Sequence, residues 1–160
     1  MPTATSTQLL QYETAPARVA EAIAGLSDAQ IRQVTSEEAW SIHEVVVHLA
    51  DAELVGSWRL RKILAEPDVT LQNYDEEGWA KNLSYSAQRR EQALALFTMQ
   101  RAVNTELLRL LPPEAWEKTA QHETRGTISV YDLFMLLSHH VDDHLEQIEQ
   151  IKQALPEILP

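Results

Sequence analysis

Four stretches of the chain repeat apolar residues at helical spacing, and turn-rich segments separate them. From about Thr5 to Leu26 the stripe is Leu9, Tyr12, Val19, Ile23 and Leu26, with Gly25 as a C-terminal stop. Pro16 either kinks this first helix or marks its true start, with Thr14 as N-cap. The second helix begins at Ser41, where Glu44 three residues on completes a capping box. It runs through Val45, His48 or Leu49, Ala52, Gly56 and Ile63 to Ala65, and Pro67 closes it. The third spans about Ser86 to Leu111, with Ala93, Leu96, Phe97, Val103, Leu107, Leu108 and Leu111 as its inner face, and stops before Pro112 and Pro113. The fourth is capped by Ser129 with Asp132 in its first turn, and continues to about Ala154. Its inward line is Leu133, Leu136, Leu137, His140, His144, Ile148 and Ile151, so two histidines stand where a dry stripe is expected.

The segments between these helices set the topology. Glu66 to Tyr85 lacks a sustained period and is long for a bundle connection. A link of that length can cross from one end of a bundle to the other and set helices two and three parallel, whereas short loops join neighbours antiparallel. The expected fold is therefore all-α: one four-helix bundle over residues 1–160 with a long crossover between helices two and three. A faint internal echo, LSDAQIRQ and LPPEAWEK each ahead of a Ser-capped helix, hints that pairs one-two and three-four are equivalent.

Composition narrows the chemistry. Apolar residues at 44% and charged residues at 23% belong to a folded globular chain. A net charge of −11, with only 13 scattered Lys and Arg, lacks the basic stripe that phosphate backbones require, so no nucleic-acid partner is expected. Neither a signal-peptide pattern nor a membrane-length apolar run is present, which makes a cytoplasmic protein the expectation. With no cysteine, any metal must take nitrogen and oxygen ligands.

His140 and His144, four apart, put two imidazoles on one helix face at a spacing that can share a metal. An imidazole on a core stripe needs partners for both ring nitrogens, and a metal plus an acceptor behind it supplies them. His48, mid-length on helix two, offers a third ligand. Three neutral histidines leave coordination positions open, as in catalytic sites, where the ion acidifies a bound water. Imidazole suits Zn²⁺, Ni²⁺, Fe²⁺ and Cu²⁺ alike. Asp51, Asp143 and Gln147 each stand three residues after one of these histidines and could orient a ring or touch a ligand. Asp51 and Glu53 are the candidate general bases, while Glu44 reads as a capping residue. His43 and His139 read as surface residues, and His122 faces either the site or solvent. Trp40, Trp58, Trp79 and Trp116 read as packing residues at helix ends.

The segments WSIHEVVVHLADAE around His48 and HHVDDHLEQI around His140 and His144 resemble the two signature segments of the DinB/YfiT-like superfamily, and NYDEEGWA and LFTMQR resemble one subgroup of it. The resemblance implies a four-helix bundle with a long crossover and one metal held by His48, His140 and His144. It also implies a small-molecule substrate and a homodimer. The reaction it suggests is either metal-dependent hydrolysis or transfer of an exogenous small thiol such as bacillithiol or mycothiol. Many relatives carry a second histidine just before the last ligand, where this chain has Asp143. The competing class is a non-catalytic module whose metal ties helices together or whose interior binds a small stress-related ligand.

Overall fold

The computed structural model describes residues 2–36 and 39–155. Helix α1 (Ser6–Ala22) is capped by Thr5, whose side chain and that of Gln8 close a capping box. It runs through Pro16, so the start at Thr14 is set aside. Proline has no N–H for the carbonyl four residues earlier, that of Tyr12. Arg101 Nη1 from another helix donates to that oxygen at 3.3 Å. Gly25, at φ +80°, ends the turn that follows α1.

A short capped helix, α2 (Asp28–Arg32), occupies part of what the sequence presents as a plain link. Helix α3 (Ile42–Ala65) starts on the Ser41–Glu44 box. The crossover holds β1 (Thr70–Leu71), α4 (Glu76–Asn82) and a 3₁₀ turn at Tyr85–Ala87. Helix α5 (Arg90–Arg109) begins four residues later than its periodicity suggests, because the 3₁₀ turn takes up the preceding residues. After a second 3₁₀ turn come β2 (Thr119–His122), β3 (Gly126–Ser129) and α6 (Val130–Ala154). Strands this short carry no readable alternation, so the periodicity of the chain does not predict the three-stranded sheet. In it β1 pairs parallel with β2, and β2 antiparallel with β3.

The four long helices form a ring in which α3 lies between α5 and α6, and α1 closes the other side against the same two. Contacts of His43 with Arg90, Glu53 with Arg101 and Arg61 with Asn104 advance together along both helices, so α3 and α5 are parallel, as the crossover length implies. His48 against His144, and Gly56 against Leu137, show α6 antiparallel to α3.

Two apolar clusters fill the ring. One joins Val19, Val45, Leu49, Phe97 and Ile148; the other joins Leu9, Leu60, Leu108, Trp116 and Phe134. Helix α5 departs from its predicted inner face. Leu96 and Val103 are exposed, while Arg101, Asn104 and Thr105 are buried. The reason is a buried polar layer. Arg101 Nε and Glu53 form an ion pair at 2.7 Å with both side chains 1% exposed. Tyr12 donates its hydroxyl to Glu53, Asn104 Nδ2 donates to Glu53 Oε1 at 2.7 Å, and Arg101 Nη2 donates to the Leu137 carbonyl at 2.8 Å. Arg101 also lies over the Tyr12 ring at 3.7 Å. Burial and the neighbouring Glu53 carboxylate push the Tyr12 hydroxyl well above its ordinary pKa, which keeps it a donor. One guanidinium thus reaches partners on the other three long helices, a demand for which its five fixed donors are suited.

Candidate metal centre

His48 lies two turns into α3 and is fully buried, while His140 and His144 stand one turn apart on α6 and are partly buried. Because α3 and α6 are antiparallel neighbours, all three rings project into the same interhelical space. His140 Nε2 lies 3.2 Å from His48 Nε2 and 3.0 Å from His144 Nε2. The three residues form a group that could hold a metal ion, with ligand atoms all within 4.8 Å of one another. Metal–nitrogen bonds of about 2.0–2.1 Å place neighbouring ligand nitrogens roughly 3.0–3.4 Å apart, so the observed spacing fits.

Proton counting supports the same fit. His144 Nδ1 lies 2.7 Å from Gln147 Oε1, an acceptor, so that nitrogen carries the proton and Nε2 presents a lone pair. A proton on His140 Nε2 can serve His144 well but leaves His48 without a good partner. His48 Nδ1 is itself buried with no hydrogen-bond partner. Protons alone satisfy one of the two close contacts, whereas a cation at the common point satisfies three lone pairs.

The environment also keeps the rings unprotonated. Burial, then the mutual repulsion of the neighbouring imidazoles, lowers His48 to about 3. Burial, His144 and Arg101 lower His140 to about 4. Burial lowers His144 too, partly offset by Gln147 and the carboxylates Glu76 and Asp143. Neutral imidazole is the form that binds a metal.

Trp40, just ahead of α3, covers one side of the site, with its ring centroid 4.7 Å from that of His48 and stacked at 6.5 Å on His144. Its indole N–H donates to Glu77 at 3.2 Å. Glu76, the first residue of α4, places Oε2 3.8 Å from His48 Nε2. Two clefts flank the triad. One of about 440 Å³ reaches His144 past Trp40 and Gln147, and another of about 380 Å³ reaches His140 past Tyr74 and Arg59. Glu76 borders both.

The other residues singled out from sequence divide. Gln147 meets His144, and Asp143 lines the cleft at His140. Asp51 is engaged by the Tyr85 hydroxyl at 2.7 Å and makes no hydrogen bond to the triad. Glu53 is a correction: its carboxylate belongs to the buried Arg101–Tyr12–Asn104 layer. His43 is another, since the crossover covers it. Fully buried, it donates Nε2–H to the Tyr85 carbonyl at 3.1 Å. His139 is exposed as expected, and His122 is buried on the cleft that reaches His140. Trp58 sits mid-helix and half exposed rather than at a helix end. Sequence reasoning missed Glu76 and Trp40 as walls of the site. The one local signal for Glu76 is the Asp75 cap that starts α4, and nothing in that cap says where the crossover lies.

Fold and site together define a class: a helical bundle with a parallel middle pair, bearing three histidines that converge from two antiparallel helices. A model of the DinB superfamily matches residues 11–148, and the chain belongs to that superfamily. Among its relatives is a Halalkalibacterium halodurans protein named "putative metal-dependent hydrolase", 24% identical over 140 residues, covering 88% of this chain and 81% of the relative. YfiT of Bacillus subtilis, which carries the same description, is 24% identical over 144 residues, covering 89% and 81%. An Oceanobacillus iheyensis relative of the same description is 28% identical over 148 residues, covering 88% and 81%. The solved structure of Bacillus subtilis YfiT, described as a probable metal-dependent hydrolase with an unusual four-helix bundle topology, superposes with a TM-score of 0.87 at 22% identity, covering 96% of this chain and 90% of that one. No helix among the described residues is long and apolar enough to cross a membrane.

Proposed function

We propose that this protein is a metal-dependent hydrolase of a small molecule, with one divalent transition ion held by His48, His140 and His144. The observation that carries the reading is the meeting of three Nε2 atoms, with contacts of 3.2 and 3.0 Å, between rings kept neutral by burial. When bound, the ion supplies a Lewis acid that polarises a substrate oxygen and acidifies water. Gln147 fixes the tautomer of His144 and so aims its lone pair. Trp40 excludes water from one flank of His48. Glu76, at the border of both clefts, is placed to take a proton at Oε2 from a nucleophile beside His48. Asp51 supports this wall through Tyr85, and we assign Glu53 no part in the chemistry. The relatives named for metal-dependent hydrolysis lend the reading its reaction class.

Tag-free protein purified without added metal is expected to carry about one equivalent of a transition ion, and His140→Ala to lose it. Metal-loaded protein should hydrolyse members of a panel of esters, amides and phosphoesters. Consumption of a supplied thiol without hydrolysis would replace the hydrolase by a thiol transferase. If His140→Ala lost metal yet left every panel rate unchanged, the site would be non-catalytic. The proposal includes a homodimer. Leu54 and Trp58 on α3, and Met99 and Val103 on α5, form an apolar face in which each residue is 45–64% exposed, and a second copy would cover it. Light scattering of wild type against Trp58→Glu tests this: a wild-type monomer removes the dimer.

A further inference from the structure

The chain carries a large negative charge, yet one wall of the cleft at His140 is cationic. Arg59, from the C-terminal half of α3, and Arg125, from the turn joining β2 to β3, both line it, and burial and then Arg125 lower the Arg59 pKa against the opposing pull of Tyr74, Glu76 and Glu123. Among the described residues neither guanidinium forms an ion pair. Arg59 donates one Nη2–H to the Gln72 carbonyl and lies 5.9 Å from the Tyr74 ring centroid, but its Nε is buried with no hydrogen-bond partner. His122, buried at the end of β2, adds a third donor. Its Nδ1 accepts from the Thr124 backbone N–H at 3.4 Å, which leaves the ring proton on Nε2.

Two like charges lining one cleft, neither of them ion-paired to a carboxylate, are stabilised by an anion brought from outside. Glu76 and Asp143 border the same cleft, and Glu76 and Glu123 favour the charge on Arg59, but none of these carboxylates is within ion-pairing distance of either arginine. Ile128, Leu133 and Leu137 give the cleft an apolar side, and at about 380 Å³ it suits a small organic molecule.

We propose that this cleft seats the anionic group of the substrate, a carboxylate or a phosphate, on Arg59 and Arg125 with His122 Nε2–H as a third donor. The body of the substrate then lies on Leu133 and Leu137, and its reacting bond faces His140. The substrate is on this view a small organic anion, an identification that rests on the hydrolase reading, whereas the anion seat itself does not require the metal.

The test is calorimetric titration of metal-stripped full-length protein with inorganic phosphate and, separately, with butyrate. Metal content is measured on every sample. Wild type should bind at least one of the two saturably in the millimolar range, and the better of them identifies the anionic group. Arg125→Gln, an exposed change, should weaken that binding about tenfold, the factor of one charge-assisted hydrogen bond. Arg59→Lys, which keeps charge but loses the fork, should weaken it less. Arg89→Gln, on the exposed cap of α5, should leave it unchanged. Absence of saturable binding to wild type, or equal weakening by Arg125→Gln and Arg89→Gln, would overturn the proposal. Saturable, Arg125-dependent anion binding by protein that takes up no metal would uphold the anion seat while rejecting the metal-dependent hydrolase.

Discussion

Glu53→Ala separates a core role from a catalytic one. Glu53 and Arg101 are each 1% exposed and 2.7 Å apart, so removing the carboxylate leaves a buried guanidinium without a counter-charge. Breaking a buried pair in this way costs about 3–5 kcal/mol, a large fraction of the roughly 5–15 kcal/mol that holds a domain folded. For a chain of this length about 1 kcal/mol moves the melting temperature by roughly 2–4 °C, so a fall of roughly 6–20 °C is expected. The Tyr12 hydroxyl and Asn104 amide lose their acceptor in the same step. The double variant Glu53→Leu/Arg101→Met should recover part of the loss by removing both charges. Recovery stays partial, because the Tyr12 carbonyl, already deprived of a helical donor by Pro16, then loses Arg101 as well. Urea unfolding of metal-free protein measures each value, and elemental analysis of the folded variant should show metal content unchanged. A loss below about 1 kcal/mol, or a double variant less stable than the single, would refute the assignment of Glu53 to the core.

Acidification gives a second prediction. His48 and His140 have folded values of about 3 and about 4 against 6.5 for the free group, so between these limits the unfolded chain binds more protons and stability rises with pH. Metal-free protein should therefore be unaffected by these groups above about pH 6.5 and lose at most about 1.4 kcal/mol per pH unit per group below it, until the folded rings protonate too. His48→Gln should flatten the dependence between pH 7 and 5, and an unchanged slope rejects the cause. Ser41→Ala should cost about 1 kcal/mol by opening the capping box of α3, and a neutral result in thermal melts would contradict the cap. Gly126→Ala should cost about 1–2 kcal/mol from its φ of +72° alone, since nothing lies within 4 Å of an added Cβ; a melt showing no loss would mean the turn relaxes.

The residues that cap and stop helices act on their own neighbours, which is why Ser41, Ser129, Gly25 and Pro112 could be read without the fold. Helical spacing likewise put His140 and His144 on one face, and polarity on an otherwise apolar stripe marked them and His48 as a candidate site. The length of the crossover was enough to imply that α3 and α5 run parallel. Local pattern could not say what the crossover covers, because its path depends on packing against distant helices. It buries His43, brings Glu76 to His48 and holds Asp51 through Tyr85. The inner face of α5 differs from the one its periodicity predicts for the same reason. Leu96 and Val103 satisfy helical periodicity, but the turn facing the bundle centre is chosen by Glu53 and by the Tyr12 carbonyl that Pro16 frees, and Arg101 answers both. Sequence determined where helices begin and end and which histidines share a face, since those depend on neighbours within a turn. Tertiary structure alone decided which charges are buried together and which acids stand beside the triad, since those depend on groups distant in the chain meeting away from water.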